Sequence, residues 1–125
     1  MTGIKYLLDT NIILGILKSN PVVTALISER SMLVNECACS AITRMELLGY
    51  PGITDAEDAL IRKKLESLTL LSLTLPIEDV AIEFRRSRKV KLPDAIIVAT
   101  AKYYNIELIT LDQQLMTMIS EKTAT

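Results

Sequence analysis

The chain has 125 residues, half of them hydrophobic, and its 14 Lys and Arg against 15 Asp and Glu give a formal net charge of −1. This length predicts one domain that folds without disulfides or metals, and the near-neutral charge excludes a protein that is basic over its whole surface. The chain has no histidine, which excludes Ser-His-Asp and Cys-His catalysis, because both mechanisms use histidine as the general base.

The first elements alternate between strand and helix. Residues 4–8 are a short apolar strand, followed by Asp9 and a helix with an apolar stripe. Asn20 and Pro21 have the residue types of an N-cap and a first helical position, which predicts a second helix. Residues 32–40 then contain a second strand. The small side chains in this strand are typical of one that is covered on both faces.

The two cysteines, Cys37 and Cys39, fall in that second strand. Residues two apart in a strand point to the same face, and a disulfide between them would be badly strained. A zinc site would need both cysteines together with carboxylates, which is an unusual ligand set. We therefore interpret both as buried core thiols.

The middle of the chain continues the alternation. Ser40 is a candidate N-cap for a third helix, and the sequence of residues 54–57 fits a capping box that opens a fourth. Residues 70–75 form a predicted third strand. Pro76 then opens a helix that runs from residue 77 to about residue 89.

The last third of the chain begins with the most apolar helix. It starts at 92–94 and is apolar nearly all round over 95–99, so it is expected to be buried. A last strand is predicted at 107–111 and a short helix at 113–119. Residues 121–125 are expected to be a frayed tail after a single domain over residues 1–120.

Strands that alternate with helices, without a β-hairpin signal between them, predict an α/β fold with a parallel sheet and helices on both faces. No apolar run reaches the length of about 20 residues that a membrane span needs. The N-terminus lacks the order of a signal peptide, so the expected location is cytoplasmic.

Four acids lie beside apolar residues or at the ends of predicted strands, which is not typical of acids on a solvent-exposed face. Asp9 and Asp112 each follow a predicted strand, Glu46 lies among apolar residues, and Asp94 precedes the most apolar helix. The carboxyl ends of parallel strands share one edge of the sheet, where ligands of α/β proteins bind. Glu46 and Asp94 are expected near helix starts that face the same edge.

Carboxylates brought together in this way repel one another unless they take up protons or bind a cation. A ligand set of oxygens without histidine favours Mg²⁺ or Mn²⁺ over zinc. Such a site can activate water and stabilise a phosphate in phosphodiester hydrolysis.

Each acid also has a plain structural interpretation. Asp94 could interact only with a helix dipole, and Asp112 could be only the N-cap of the last helix. Glu46 could pair with Arg44 or a nearby lysine. The four acids together are more specific than any one of them.

The chain resembles the PIN-domain ribonucleases, and within them the VapC-type toxins of prokaryotic toxin–antitoxin pairs. The resemblance rests on four segments in the family's order: Leu7-Leu8-Asp9-Thr10-Asn11, Ser40-x-x-Thr43-x-x-Glu46-Leu47-Leu48-Gly49, Leu92-Pro93-Asp94-Ala95-Ile96-Ile97-Val98-Ala99-Thr100-Ala101 and Leu108-Ile109-Thr110-Leu111-Asp112.

The resemblance implies an α/β/α sandwich with a mainly parallel sheet and a Mg²⁺ or Mn²⁺ site that hydrolyses RNA. The implied metal-site and catalytic residues are Asp9, Glu46, Asp94 and Asp112. Supporting hydrogen bonds are implied for Thr10, Asn11 and Thr110. A homodimer, an inhibitory antitoxin, and 3′-hydroxyl and 5′-phosphate products are further implications.

The chain departs from the family pattern just after the fourth segment. Many members carry a further acid and an aromatic residue there, whereas this chain has Gln113, Gln114 and Leu115. The departure weakens the case for a second metal ion and leaves the four acids intact.

A cluster of basic residues lies just ahead of Asp94. We interpret it as a contact for the RNA backbone, although cations at a helix end also favour the dipole. Aromatic residues for base stacking are scarce, with one Phe, four Tyr and no Trp. The cluster consists of Arg85, Arg86, Arg88, Lys89 and Lys91.

Two other functions fit parts of this pattern. A haloacid dehalogenase-like phosphatase also begins with a strand that ends in Asp, but it needs a second acid where this chain has Asn11. A non-catalytic α/β binding module would use the acids only as helix caps. Metal binding distinguishes that module from a nuclease.

Overall fold

Four parallel strands form the central sheet of the computed structural model, which describes residues 3–120. The strands are Tyr6–Leu8 (β1), Cys37–Ser40 (β2), Thr69–Leu71 (β3) and Glu107–Ile109 (β4), and their order in the sheet is β3-β2-β1-β4. The predicted parallel sheet is confirmed. The predicted tail at residues 121–125 lies outside the described residues.

Helices connect the strands, and their starts follow local capping signals. Asn20 accepts a hydrogen bond from the Val22 amide at 2.9 Å, and Thr54 and Glu57 form the expected capping box. The α-helices of the described residues are Thr10–Leu17 (α1), Pro21–Glu29 (α2), Ala41–Leu48 (α3), Asp55–Glu66 (α4), Leu75–Ser87 (α5), Leu92–Tyr104 (α6) and Gln113–Ser120 (α7).

Two apolar cores cover the two faces of the sheet. One core packs α5, α6 and α7 against side chains such as Leu7 and Leu108. The other packs α1, α2 and α4 against side chains such as Leu8 and Ile109. Successive residues of a strand point to opposite faces, so β1, β2 and β4 contribute to both cores, while β3 contributes Leu71 to the first. The chain therefore forms the predicted three-layer α/β/α arrangement.

All four strands are shorter than predicted. β1 begins at residue 6 instead of residue 4, and β4 ends at residue 109 instead of residue 111, so Asp112 lies three residues beyond the strand and not directly after it. Residues 34–36 form a 3₁₀ turn before β2, in which the Glu36 carboxylate accepts a hydrogen bond from the Leu33 amide at 3.0 Å. β3 ends at Leu71 instead of residue 75, and the paired end of β2 explains why. Ser40 pairs with Leu71 and is also the N-cap of α3, so β3 has no partner strand beyond that point.

α1 and α2 meet at a sharp corner of 109°. A Cβ atom at Gly15 would overlap the Val23 side chain, so glycine permits this close approach. Within residues 3–120, no single helix is long and apolar enough to cross a membrane, and α1 and α2 meet that criterion only as a bent pair.

Candidate active site

The carboxyl ends of β1 and β4 lie side by side within the sheet. The helix that follows β1 packs on one face of the sheet, and the helix that follows β4 packs on the other. Open α/β sheets bind ligands in the crevice at such a point, because the two connections diverge there. Asp9 and Thr110, the first residues after these strands, border this crevice.

Asp9 is the most deeply buried of the four acids, with 5% of its surface exposed. Its Oδ1 accepts a hydrogen bond from the Thr10 amide at 2.8 Å, and its Oδ2 accepts one from the Thr110 hydroxyl at 2.7 Å. Burial raises the pKa of Asp9, these two hydrogen bonds lower it, and the nearby Asp112 raises it. The hydrogen bonds therefore stabilise the ionised form of Asp9, and burial destabilises it.

Asn11 and Thr110 link the two strand ends. The Asn11 amide donates to both Asp9 Oδ2 and Thr110 Oγ1 at 3.4 Å, and Asn11 Oδ1 accepts from the Leu111 amide at 3.2 Å. The Asp112 amide donates to Thr110 Oγ1 at 3.0 Å. Thr110 thus contacts both strand-end acids, and Asn11 contacts Asp9 and Thr110.

Asp112 is the N-cap of α7, as its structural interpretation expected. Its Oδ1 accepts hydrogen bonds from the Gln114 amide at 2.8 Å and the Leu115 amide at 3.3 Å. Among residues 3–120, the other carboxylate oxygen of Asp112 accepts no hydrogen bond. The capping interaction therefore fixes the side chain and leaves one oxygen available for a ligand.

Glu46 approaches the crevice from α3. It is the sixth residue of this eight-residue helix, so the expectation that it lies near a helix start is wrong. The Thr10 hydroxyl donates to Glu46 Oε1 at 2.9 Å. No ion pair in the described part of the chain involves Glu46, so Arg44 does not neutralise it.

Asp94 lies in the first turn of α6 and is partly buried. Burial raises its pKa, and so do Asp112, Asp9 and Glu46, in that order, while Lys91 lowers it. The charges of the four acids therefore act on one another across a single crevice. None of the described ion pairs involves any of the four acids.

The donor chemistry of this crevice suits a hard divalent cation, because carboxylate oxygens surround it and histidine is absent from the chain. No three acidic or cysteine side chains within residues 3–120 are close enough as they stand to share one ion. Asp9 and Asp112 are held by hydrogen bonds, whereas Glu46 is exposed and Asp94 accepts no hydrogen bond from a described residue. The residues therefore fit a divalent cation in two respects: their ligand atoms are carboxylate oxygens, and none of the described ion pairs involves them.

Ser40 and Thr43 were not among the predicted site residues, although both fall in the second matched segment. Thr43 is fully buried, and its hydroxyl lies 3.2 Å from the hydroxyls of both Ser40 and Thr10. Its position three residues before Glu46 could have revealed it, because residues at that spacing share one face of a helix.

A cleft of about 600 Å³ opens beside Asp94 and Asp112. Four of the five predicted RNA-contact residues line it, namely Arg85, Arg88, Lys89 and Lys91. The fifth predicted residue, Arg86, does not line this cleft. Arg86 lines a neighbouring groove with Leu73 and Leu92, and Arg85 lines both that groove and the cleft.

Thr110→Val is expected to reduce stability by about 1–3 kcal/mol, because Asp9 loses a buried hydrogen bond. The pKa of Asp9, already above its usual value, should rise further. An ionised Asp9 then costs more, so the loss should be smaller in acid and grow as pH rises toward and through the new pKa. Urea unfolding between pH 4 and pH 8 measures this dependence. A loss that is constant over this range would show that Thr110 does not stabilise the ionised carboxylate.

Comparison with known proteins gives matches over almost the whole chain. A family model described as the PIN domain matches residues 6–118. No curated protein matches the chain in sequence. A chain of a toxin–antitoxin complex from Klebsiella pneumoniae is 27% identical, with 93% of each chain covered and a TM-score of 0.79.

Two further solved structures are similar. A chain of VapBC-1 from nontypeable Haemophilus influenzae is 26% identical, with 94% of this chain and 93% of that chain covered and a TM-score of 0.74. A chain of FitAcB from Neisseria gonorrhoeae is 25% identical, with 91% and 92% covered and a TM-score of 0.73. The range matched by the PIN domain model, residues 6–118, includes all four acids.

Proposed function

The chain belongs to the PIN domain family, and from this premise we propose that it is a metal-dependent endoribonuclease, the toxin of a toxin–antitoxin pair. The observation that carries the proposal is the crevice itself. Burial and neighbouring acids raise the pKa values of Asp9 and Asp94 there, and a cleft lined by basic residues adjoins the crevice. Clustered acids with perturbed pKa values are typical of functional sites.

We assign the cation to Asp9, Asp94 and Asp112, with Glu46 as a direct or water-mediated ligand. Bound Mg²⁺ or Mn²⁺ supplies a Lewis acid that lowers the pKa of water and stabilises charge on a phosphate. Hydrogen bonds from the chain's own residues hold two of these side chains. Thr110 and the Thr10 amide favour the ionised form of Asp9, and the Thr10 hydroxyl orients Glu46.

RNA would reach this crevice through the basic cleft. Arg85, Lys89 and Lys91 can contact backbone phosphates, which position a nucleic acid without reading its sequence. Hydrolysis would leave a 3′-hydroxyl and a 5′-phosphate, as the resemblance implies. An RNA substrate also suggests that the protein acts in the cytoplasm rather than at a membrane.

An antitoxin partner is supported by the similar solved structures, which include a chain of a toxin–antitoxin complex and a chain of VapBC-1. A homodimer is part of the same proposal. Both contacts need apolar surface, and α5 and α6 border a groove of about 650 Å³ with exposed Ile82 and Leu92. Exposed apolar surface of this kind is typical of interaction sites.

The first test is cleavage of total RNA with Mn²⁺, with Mg²⁺ and with a chelator, followed by sequencing of the new 5′ ends. We expect cuts that need the metal and that carry 5′-phosphates. Cuts of equal intensity in chelator would contradict the metal-dependent mechanism.

A non-catalytic binding module is the second candidate, and the capping role of Asp112 favours it. Such a module needs no cation at the crevice. Calorimetric titration with Mn²⁺ therefore separates the two candidates, because only the nuclease should bind the ion and lose that binding in Asp94→Asn.

A further inference from the structure

Three hydroxyl groups form a chain that ends on the Glu46 carboxylate. The Ser40 and Thr43 hydroxyls lie 3.2 Å apart, those of Thr43 and Thr10 lie 3.2 Å apart, and Thr10 lies 2.9 Å from Glu46 Oε1. Ser40 is 1% exposed and Thr43 is fully buried, whereas Glu46 is exposed. The chain of hydroxyls thus connects the protein interior to a side chain at the crevice.

The number of protons gives this chain of hydroxyls a direction. An ionised carboxylate can only accept, so Thr10 must use its one hydroxyl proton on Glu46. Thr10 then has none left for Thr43, so the Thr43 hydroxyl donates to Thr10. The Ser40 hydroxyl donates to Thr43 in turn, while Ser40 accepts from the Thr43 amide at 3.2 Å. Every hydroxyl therefore donates once, toward Glu46.

Thr43 is the rigid member of this chain of hydroxyls. It lies in the first turn of α3, its β-branched side chain has no exposed surface, and its amide is held by Ser40. Thr10 is only partly buried and can rotate its hydroxyl away from Glu46 unless Thr43 supplies a donor to it. Without Thr43, an exposed glutamate would sample several rotamers.

We propose that Thr43 is a positioning residue that holds Glu46, through Thr10, in the orientation that binds the divalent cation. The inference rests on the proposed function and adds a residue to it that touches neither the cation nor RNA. Outer partners that orient metal ligands typically change affinity by about 10–100-fold when they are lost. Thr43→Val removes the hydroxyl and nearly preserves the shape of the side chain.

The test measures Mn²⁺ affinity by calorimetry, with the paramagnetic resonance signal of free Mn²⁺ as a second readout. We expect Thr43→Val to bind Mn²⁺ about tenfold more weakly and Thr43→Ser, which restores a hydroxyl, to stay within about threefold of the native protein. Thr100→Val is the matched control. Thr100 is also buried, but its hydroxyl donates only to the Ile96 carbonyl within α6, at 2.7 Å.

A double-mutant cycle shows whether the effect passes through Glu46. In a Glu46→Ala background the chain of hydroxyls has no carboxylate to orient, so Thr43→Val should cause no further loss of Mn²⁺ affinity. An equal loss in both backgrounds, or no loss in the native background, would overturn the positioning role and leave the nuclease proposal standing. Failure of the native protein to bind Mn²⁺ would overturn both.

Thermal unfolding of the same variants addresses a purely structural role. If Thr43→Val weakened Mn²⁺ binding only because it destabilises the protein, a Thr43→Ser variant that unfolds at the same temperature should bind Mn²⁺ equally weakly. Restored Mn²⁺ affinity in Thr43→Ser, with Thr100→Val unchanged, supports positioning through the hydroxyl.

Discussion

Asp94→Asn is expected to abolish RNA cleavage and to leave the protein at least as stable as the native chain. The loss of activity should be at least about 100-fold, since even outer partners of metal ligands contribute 10–100-fold. The stability expectation follows from the pKa of Asp94, which burial and the three other acids raise. A raised pKa in the folded state means that stability falls as pH rises from the unfolded value through the folded one.

The neutral amide of Asp94→Asn does not ionise, so this variant avoids the loss of stability with rising pH. It should therefore unfold at a higher temperature than the native protein at pH 8. The difference should shrink as the pH falls through the raised pKa of Asp94, because the carboxylate then takes up a proton. Differential scanning calorimetry in chelator measures the two unfolding temperatures. Added Mn²⁺ should raise the unfolding temperature of the native protein but not that of Asp94→Asn. Asp79→Asn, the same change at an exposed acid of α5, is the control. A less stable Asp94→Asn that is still active would contradict the metal-site assignment.

Reversing two charges in the basic cleft, Lys89→Glu with Lys91→Glu, should weaken RNA binding at least tenfold at low salt. Each phosphate contact to single-stranded nucleic acid contributes about 0.7 to the slope of log affinity against log salt. Two lost contacts should therefore reduce the slope by roughly 1.4. Both lysines line the cleft that includes Asp94 and Asp112.

Fluorescence anisotropy of a labelled RNA measures this binding, with all proteins in the Asp94→Asn background so that the RNA stays intact. This background also removes the effect of Lys91 on the pKa of Asp94. Lys18→Glu with Lys63→Glu changes the net charge equally at exposed positions outside the cleft. If both double variants lose the same affinity, the binding depends on overall charge and the cleft is not the RNA site.

Much of the fold could be predicted because its signals are local. The Asn20 cap and the Thr54 capping box depend on residues within one helical turn, and both form as expected. The apolar run at 95–99 predicts a buried helix whatever its neighbours are, and α6 is buried there. Asp9 and Asp112 follow strands of a parallel sheet, which alone brings them to one edge.

Other features depend on partners that are distant in sequence. β3 ends at Leu71 because β2 ends at Ser40, and periodicity within residues 70–75 carries no information about that partner. Arg85 lines both the basic cleft and the groove beside it, whereas Arg86 lines only that groove, and the basic cluster in the sequence does not show this difference.

The sequence by itself determined the α/β class, the helix starts and the acids at the two strand ends, since periodicity, capping and strand polarity act over a few residues. Only the tertiary structure decided how Glu46 enters the site. Its approach depends on α3 packing beside α1, which brings Thr43 next to Thr10, 33 residues away along the chain. Long-range packing of this kind sets hydrogen-bond partners to within a few tenths of an ångström, whereas a sequence pattern specifies only which face of an element a residue occupies.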